Sequence, residues 1–245
     1  MFMRISKALA WTGSIVVITA VAAALIAGPG YDAGLWHYRI GFTVLRWSVY
    51  VAAGGALVAL VGCVLAGAQR QLRTSALGLA AVLLASGLVL PSWDLQKTAS
   101  SVPLIHDITT DTENPPQFVA LLPVRRTTPN GPEYGGEPVA QEQRATYPEI
   151  RPVVLNDPPA AAFARALKAA RAMGWEIVDA VPAEGRIEAT ATTRWFRFKD
   201  DVVVRIVAQG SDSRLDVRSK SRLGRSDLGA NAKRIRAYIR MLTSS

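Results

Sequence analysis

Two adjacent carboxylates, Asp200 and Asp201, lie about a strand and a turn ahead of a basic, hydroxyl-rich stretch, Arg218 to Arg240, reading RSKSRLGRSDLGANAKRIRAYIR. Acids beside arginines and serines are raw material for acid–base chemistry, for nucleophilic attack or for gripping an anion. The candidate binding residues are Asp200, Asp201, Arg218, Ser219, Ser221, Arg222, Ser226, Asp227 and Asn231. Neighbours on a strand point to opposite faces, so Asp200 and Asp201 cannot act as one acid/base pair unless a bulge intervenes. One of them is placed to pair with Arg218 or Arg222 across a sheet, and such ion pairs account for the cluster as readily as catalysis does. Ser219 and Ser221 fall on one face with Val217. No histidine follows His106 and no GxSxG elbow is present, so a serine hydrolase is poorly served.

Gly224 and Gly229 flank Ser226-Asp227 where a helix is expected to begin. The free backbone N–H groups of a helix start attract anions, and Arg218, Arg222 and Arg225 approach the same place. The other reading is that Ser226 or Asp227 caps the helix and answers those N–H groups itself.

With the acidic pair, this stretch resembles the family catalogued as domain of unknown function 1499, in which a DD pair precedes RSxSRxGxSDLGxNxxR. The matching residues are Asp200, Asp201, Arg218, Ser219, Ser221, Arg222, Gly224, Ser226, Asp227, Leu228, Gly229, Asn231 and Arg234. The resemblance covers about the last third of the chain and carries no activity with it. Many members have a cysteine-containing PNCVSS-like segment ahead of the domain. Here that region reads TDTENPPQF.

The elements that must position these residues form an α+β domain over 150–245. Asp157-Pro158-Pro159 opens a helix with Asp at the cap, and Gly174 ends it. Strands are expected over Trp175–Val181, Arg186–Thr193, Asp201–Ala208 and Arg214–Ser221, from alternation and β-branched runs. A last helix over Asp227–Leu242 carries the stripe Leu228, Ala232, Ile235, Ile239 and Leu242, leaving Lys233, Arg234, Arg236 and Arg240 outside. Short turns between successive strands imply an antiparallel sheet of about four strands with two helices on one face.

The first part of the chain is of another kind. Residues 1–93 hold six Lys or Arg and one acid, Asp32, whereas 94–245 hold the other 22 basic and 18 acidic groups. Ala8–Ala27, Trp47–Ala68 and Ser75–Leu90 are charge-free and read as three membrane spans, since a bilayer core takes ~20 apolar residues. Arg4 and Lys7 before the first span, and Arg70 and Arg73 between the second and third, place those ends in the cytoplasm. The C-terminal domain is then expected outside it, in the periplasm of a bacterium whose inner membrane carries the spans. Trp36, Tyr38, Trp47, Tyr50 and Trp93 suit an aromatic belt, and Gly54, Gly55, Gly62 and Gly67 suit close helix packing. No charge lies inside a span, which counts against a transporter.

Residues 94–149 form a Pro-rich linker in this reading, with an irregular tether over Arg125–Tyr147 and an added strand possible in Val102–Ile108. His106, Asp107, Asp111 and Glu113 match no metal-ligand spacing, and Cys63 is the lone cysteine. No metal or cofactor is expected. The formal charge of +9 is explained by membrane topology and by the C-terminal basic stretch, not by nucleic acid. The expected partners are the bilayer and an envelope protein or anionic headgroup. Two function classes remain: a non-enzymatic binding or scaffold module, and an envelope hydrolase or transferase using the Asp/Arg cluster. A third reading, a regulatory membrane sensor, needs only a ligand pocket between sheet and helices. Geometry separates the two classes. An enzyme needs its charges converging in a cleft, whereas a scaffold spends them on one another.

Overall fold

A computed structural model describes residues 2–244. The chain divides into two compact units, Met1–Ser100 with Arg194–Arg197, and Ser101–Thr193 with Phe198–Ser245.

The first unit holds three helices, α1 (Phe2–Asp32), α2 (Tyr38–Ala68) and α3 (Leu72–Ser101). All three are long and apolar enough to cross a membrane. Helices α1 and α3 overrun the expected spans at both ends, and α2 overruns its span at the start only, because the flanking turns continue the helical hydrogen bonding. Small residues let α1 and α2 approach closely. A side-chain carbon at Gly62 would fall 2.4 Å from Ala10 N, and one at Gly55 would fall 2.8 Å from Val16 Cγ1. Gly54 faces open space and Gly67 has only Ser75 Oγ at 3.5 Å, so just two of the four expected glycines serve this contact. His37 starts α2, its Nδ1 accepting from Arg39 N at 3.4 Å.

The second unit is the α+β domain. Its strands are β1 (Asp107–Thr109), β2 (Val153–Leu155), β3 (Glu176–Val181), β4 (Arg186–Thr192), β5 (Lys199–Gln209) and β6 (Asp212–Ser221). Its helices are α4 (Leu122–Arg126), α5 (Gly136–Thr146), α6 (Pro159–Ala172) and α7 (Ala230–Thr243). The sheet is antiparallel throughout, in the order β1-β6-β5-β4-β3, with β2 lying beside β1 on the outer edge of β6. The four expected strands are thus joined by two three-residue strands: β1 overlaps the end of the added strand expected within Val102–Ile108, and β2 is too short for sequence periodicity to reveal.

Alternation along the strands sorts two faces. Ile187, Ala189, Val202, Val204, Ile206, Leu215 and Val217 meet Phe163, Ala166 and Ala170 of α6 and Ala232, Ile235, Tyr238 and Leu242 of α7. Tyr238 donates its buried hydroxyl to Ala166 O at 2.9 Å. It joins the stripe between Ile235 and Leu242, beside the expected Ile239, whereas Leu228 lies outside the helix, exposed, with φ of 53°. Helix α7 begins at Ala230 rather than Asp227, because Leu228 and then Gly229 (φ 77°) adopt left-handed backbone. Likewise Pro158, not Asp157, occupies the cap of α6, and Asp157 turns instead to Arg165.

The opposite face is polar and is also covered. Residues 110–134, expected as linker, cross it as a strap that contains α4, and the expected tether holds α5. The strap buries Phe118 and Leu121 on Val203 of β5. The boundary between the units falls at Ser100, so the segment 101–149 belongs to the folded domain.

Candidate functional site

Asp200 and Asp201 sit on opposite faces of β5, as adjacent strand residues must. Asp201 is fully buried under the strap. Its carboxylate accepts from Arg125 Nη1 at 2.8 Å, Arg222 Nη2 at 2.7 Å, Arg222 Nε at 2.9 Å and Thr190 Oγ1 at 2.9 Å. Arg218, also fully buried, does not reach this group. It forms a two-pronged pair with Asp107 of β1, at 2.9 Å from Nε and 2.8 Å from Nη2. The same guanidinium donates to Pro116 O at 3.2 Å and Pro132 O at 3.0 Å. Such planar, charge-assisted forks are among the stronger hydrogen bonds proteins make.

The strap is held mainly through its backbone. Glu188 of β4 accepts from Val119 N, Ala120 N and Leu121 N at 2.8–2.9 Å. Arg125, with no solvent exposure, donates to Asn130 O at 2.8 Å and Lys220 O at 3.2 Å besides Asp201. Its guanidinium carbon stands 4.8 Å from the Phe118 ring centroid. Burial pulls the Arg125 pKa below its ordinary value, although Asp201 opposes the shift. At the far end, Asp111 and Asp216 share Arg205 and Arg214, at 2.7–3.1 Å. Asp107 and Asp111, near each other in sequence, therefore serve separate arginine groups. No cluster of three or more metal-ligating side chains occurs among the described residues.

On the helix face, Asp200 accepts from Arg234 Nη2 at 2.5 Å. Arg234 thus turns inward, not outward as its place beside the apolar stripe implied. Ser219 Oγ donates to Asn231 Oδ1 at 2.7 Å, and Asn231 Nδ2 donates to Ser221 Oγ and His106 O, both at 3.0 Å. Both serine hydroxyls are bonded to the Asn231 amide, and Asp200, the cross-strand neighbour of Ser221, is engaged by Arg234. Before α7, Asp227 accepts from Gly229 N at 2.8 Å and Asn231 N at 2.7 Å, while Ser226 Oγ accepts from Leu228 N at 3.2 Å. The turn answers its own donors. Burial raises the Asp227 pKa against those backbone N–H groups.

The structure therefore gathers the nine candidate residues into three groups. Asp201 and Arg222 form one; Arg218 stands apart with Asp107. Asp200, Ser219, Ser221 and Asn231 form the third through Arg234, with Ser226 and Asp227 on the turn beside them. Sequence reading did not find Arg125, Asp107 as an arginine partner, Glu188 or Lys220. Lys220 lies on the polar face, its Nζ donating to Glu133 O and standing 3.2 Å from Asp107 Oδ2. Burial lowers its pKa, with Asp107 opposing and Arg218 adding to the shift. Tyr134 lies against Arg218, and burial pushes its hydroxyl up to about 12. A cavity of about 230 Å³ opens next to Lys220, lined also by Leu104, Ile105, His106, Asn130 and Arg225.

Comparison with curated proteins returns no match. The family described as "Protein of unknown function (DUF1499)" matches residues 107–242, a span that starts at the first residue of β1 and takes in the strap, the sheet and nearly all of α7. Since that span is more than half of the 245 residues, the chain belongs to the DUF1499 family.

Proposed function

We propose that the chain is a membrane-anchored module of the cell envelope whose folded domain faces the extracytoplasmic side and binds rather than catalyses. One observation carries the non-enzymatic part. The family's acidic and basic residues are buried and bonded to one another, and to backbone, instead of lining a cleft. A catalytic carboxylate must meet substrate, and Asp201 has no solvent-facing oxygen to offer. The same observation weighs against a hydrolase or transferase that uses this cluster. The orientation rests on Arg4, Lys7, Arg70 and Arg73 flanking the helix ends expected in the cytoplasm. In a two-membrane bacterium the domain is then periplasmic, with the spans in the inner membrane. The partner is an envelope protein or an anionic headgroup, met by the exposed Lys233 and Arg240 on α7.

The test is a pair of fusions after Ser245 in the full chain. A reporter active only outside the cytoplasm is expected to work, and a cytoplasmic reporter to stay silent. The reverse pattern sinks the extracytoplasmic assignment. A photoreactive residue replacing Arg240 should then cross-link to a lipid or an envelope protein in intact cells, and absence of any adduct removes the binding surface on α7.

A further inference from the structure

We propose that the cavity between the start of β1 and the turn before α7 binds a small phosphate- or carboxylate-bearing ligand, held by Lys220 and Arg225. The inference rests on reading the domain as a binding module, but not on which side of the membrane it faces.

The lining is chemically divided. Leu104, Ile105 and Val139 supply apolar wall, and His106, Asn130, Lys220 and Arg225 supply polar groups. Lys220 is held deep, with only 6% of its side chain exposed. Two of its three donors are taken, by Asp107 and Glu133 O, which leaves one for an occupant. Arg225 is exposed at the rim, and among the described residues its guanidinium has neither an ion pair nor a hydrogen bond. It differs in this from Arg218 and Arg222, which are consumed by Asp107 and Asp201. Asp107 is the one acid on the wall, and its two oxygens already receive the Arg218 fork. The cationic groups facing the cavity thus exceed the acidic one, which favours an anion.

Two acceptors complete the lining. Asn130 spends both amide hydrogens on Ser221 O and Gly224 O, leaving its Oδ1 as acceptor. His106 Nδ1 lies 3.4 Å from Arg225 O, and donation there leaves Nε2 as acceptor. An anion that also carries a hydroxyl, such as a phosphate monoester, satisfies donors and acceptors together. A volume of about 230 Å³ admits such a group with a few carbons. Burial lowers the pKa of Lys220, and an arriving anion would favour its charged form. The source is a free phosphate ester or a lipid headgroup, and both present the same chemistry.

The chain has two histidines, His37 and His106, so selective labelling gives two imidazole signals. Detergent-solubilised full-length protein is titrated with inorganic phosphate, glycerol 3-phosphate, acetate, and phosphatidic acid in mixed micelles. The His106 signal should move saturably with a phosphate-bearing probe while His37 stays fixed. Arg225→Gln, an exposed change that leaves the fold intact, should weaken binding about tenfold, the loss expected for one charged hydrogen bond. Arg171→Gln, on α6, should titrate as wild type. Saturation by glycerol 3-phosphate without phosphatidic acid identifies a solute ligand, and the converse identifies a headgroup. A His106 signal that no probe moves, or an Arg225→Gln titration matching wild type, overturns the site. Because detergent removes sidedness, that failure is separate from a failed topology assignment.

Discussion

Asp201→Asn keeps the shape of the buried carboxylate and removes its charge. In the wild-type chain that charge answers two guanidiniums, Arg125 with no exposed surface and Arg222 with 16% of its side chain exposed. Arg222 has a route toward water when the carboxylate is gone. Arg125 has none, and it cannot lose its proton at any ordinary pH. Removing one partner of a buried pair costs ~3–5 kcal/mol, and the stranded Arg125 puts the change in that range. Arg222→Gln leaves Asp201 with Arg125 and Thr190, so its loss should stay near one charged hydrogen bond, ~1.5–3 kcal/mol. The expected order of stability is wild type, then Arg222→Gln, then Asp201→Asn. Pulse proteolysis of the solubilised full-length chain across a urea series reads the unfolding of the domain while the helices remain in detergent. In a thermal scan, at about 2–4 °C of melting temperature per kcal/mol, Asp201→Asn should melt roughly 6–20 °C below wild type. An Asp201→Asn chain within 1 kcal/mol of wild type, on the scale of an exposed pair, would refute the claim that this cluster clasps the strap.

Two further outcomes follow from other parts of the molecule. Burial depresses the His106 pKa from its ordinary 6.5, with Lys220 pushing the same way and Asp107, Asp227 and the Arg225 carbonyl opposing. The unfolded chain therefore binds the proton more readily. This group's contribution is present above pH 6.5 and is lost as pH falls through the folded value. In phosphate-free buffer, His106→Gln should lose less stability than wild type between neutral and mildly acid pH. Parallel pH profiles for the two proteins would contradict this. In the first unit, Gly78→Leu places a side chain where a single carbon already falls 2.7 Å from Ala59 O and 2.8 Å from Cys63 Cβ, forcing α3 from α2. The neighbouring Cys63, half-buried and 3.4 Å from Ser75 Oγ, should then react faster with a maleimide in detergent, and an unchanged rate would count against this packing.

The readable parts of the sequence were those whose side chains alternate against an apolar core. Strands β3 to β6 and helices α6 and α7 declare themselves through Ile187, Val202, Val204, Leu215, Val217 and Ile235, all in the core. Strands β1 and β2 have three residues each, too few for a period. The strap was missed for a different reason. Many of its anchors are backbone atoms, Pro116 O, Pro132 O, Glu133 O and three successive N–H groups on Glu188, and these leave no pattern in side-chain types. Arg125 and Arg126 are neighbours in a proline-rich run, one fully buried and the other exposed, and nothing local distinguishes them. The opposed faces of Asp200 and Asp201 were legible from strand geometry alone. The partner of Arg218 was not, because Asp107 lies 111 residues earlier.

That separation has a consequence for how the protein is made. The strap leaves the ribosome long before the strand that secures it. Strand β6 stands between β1 and β5, so the sheet has no closed order until the chain has been delivered almost to its end. Until then Asp107 has no Arg218 to receive, and β1 has no neighbour in the sheet, so that end of the strap is a charged segment instead of a sticky edge. A chain stopped before β6 lacks the strand on which β1 and β2 both pair, and so leaves that whole side of the sheet unmade.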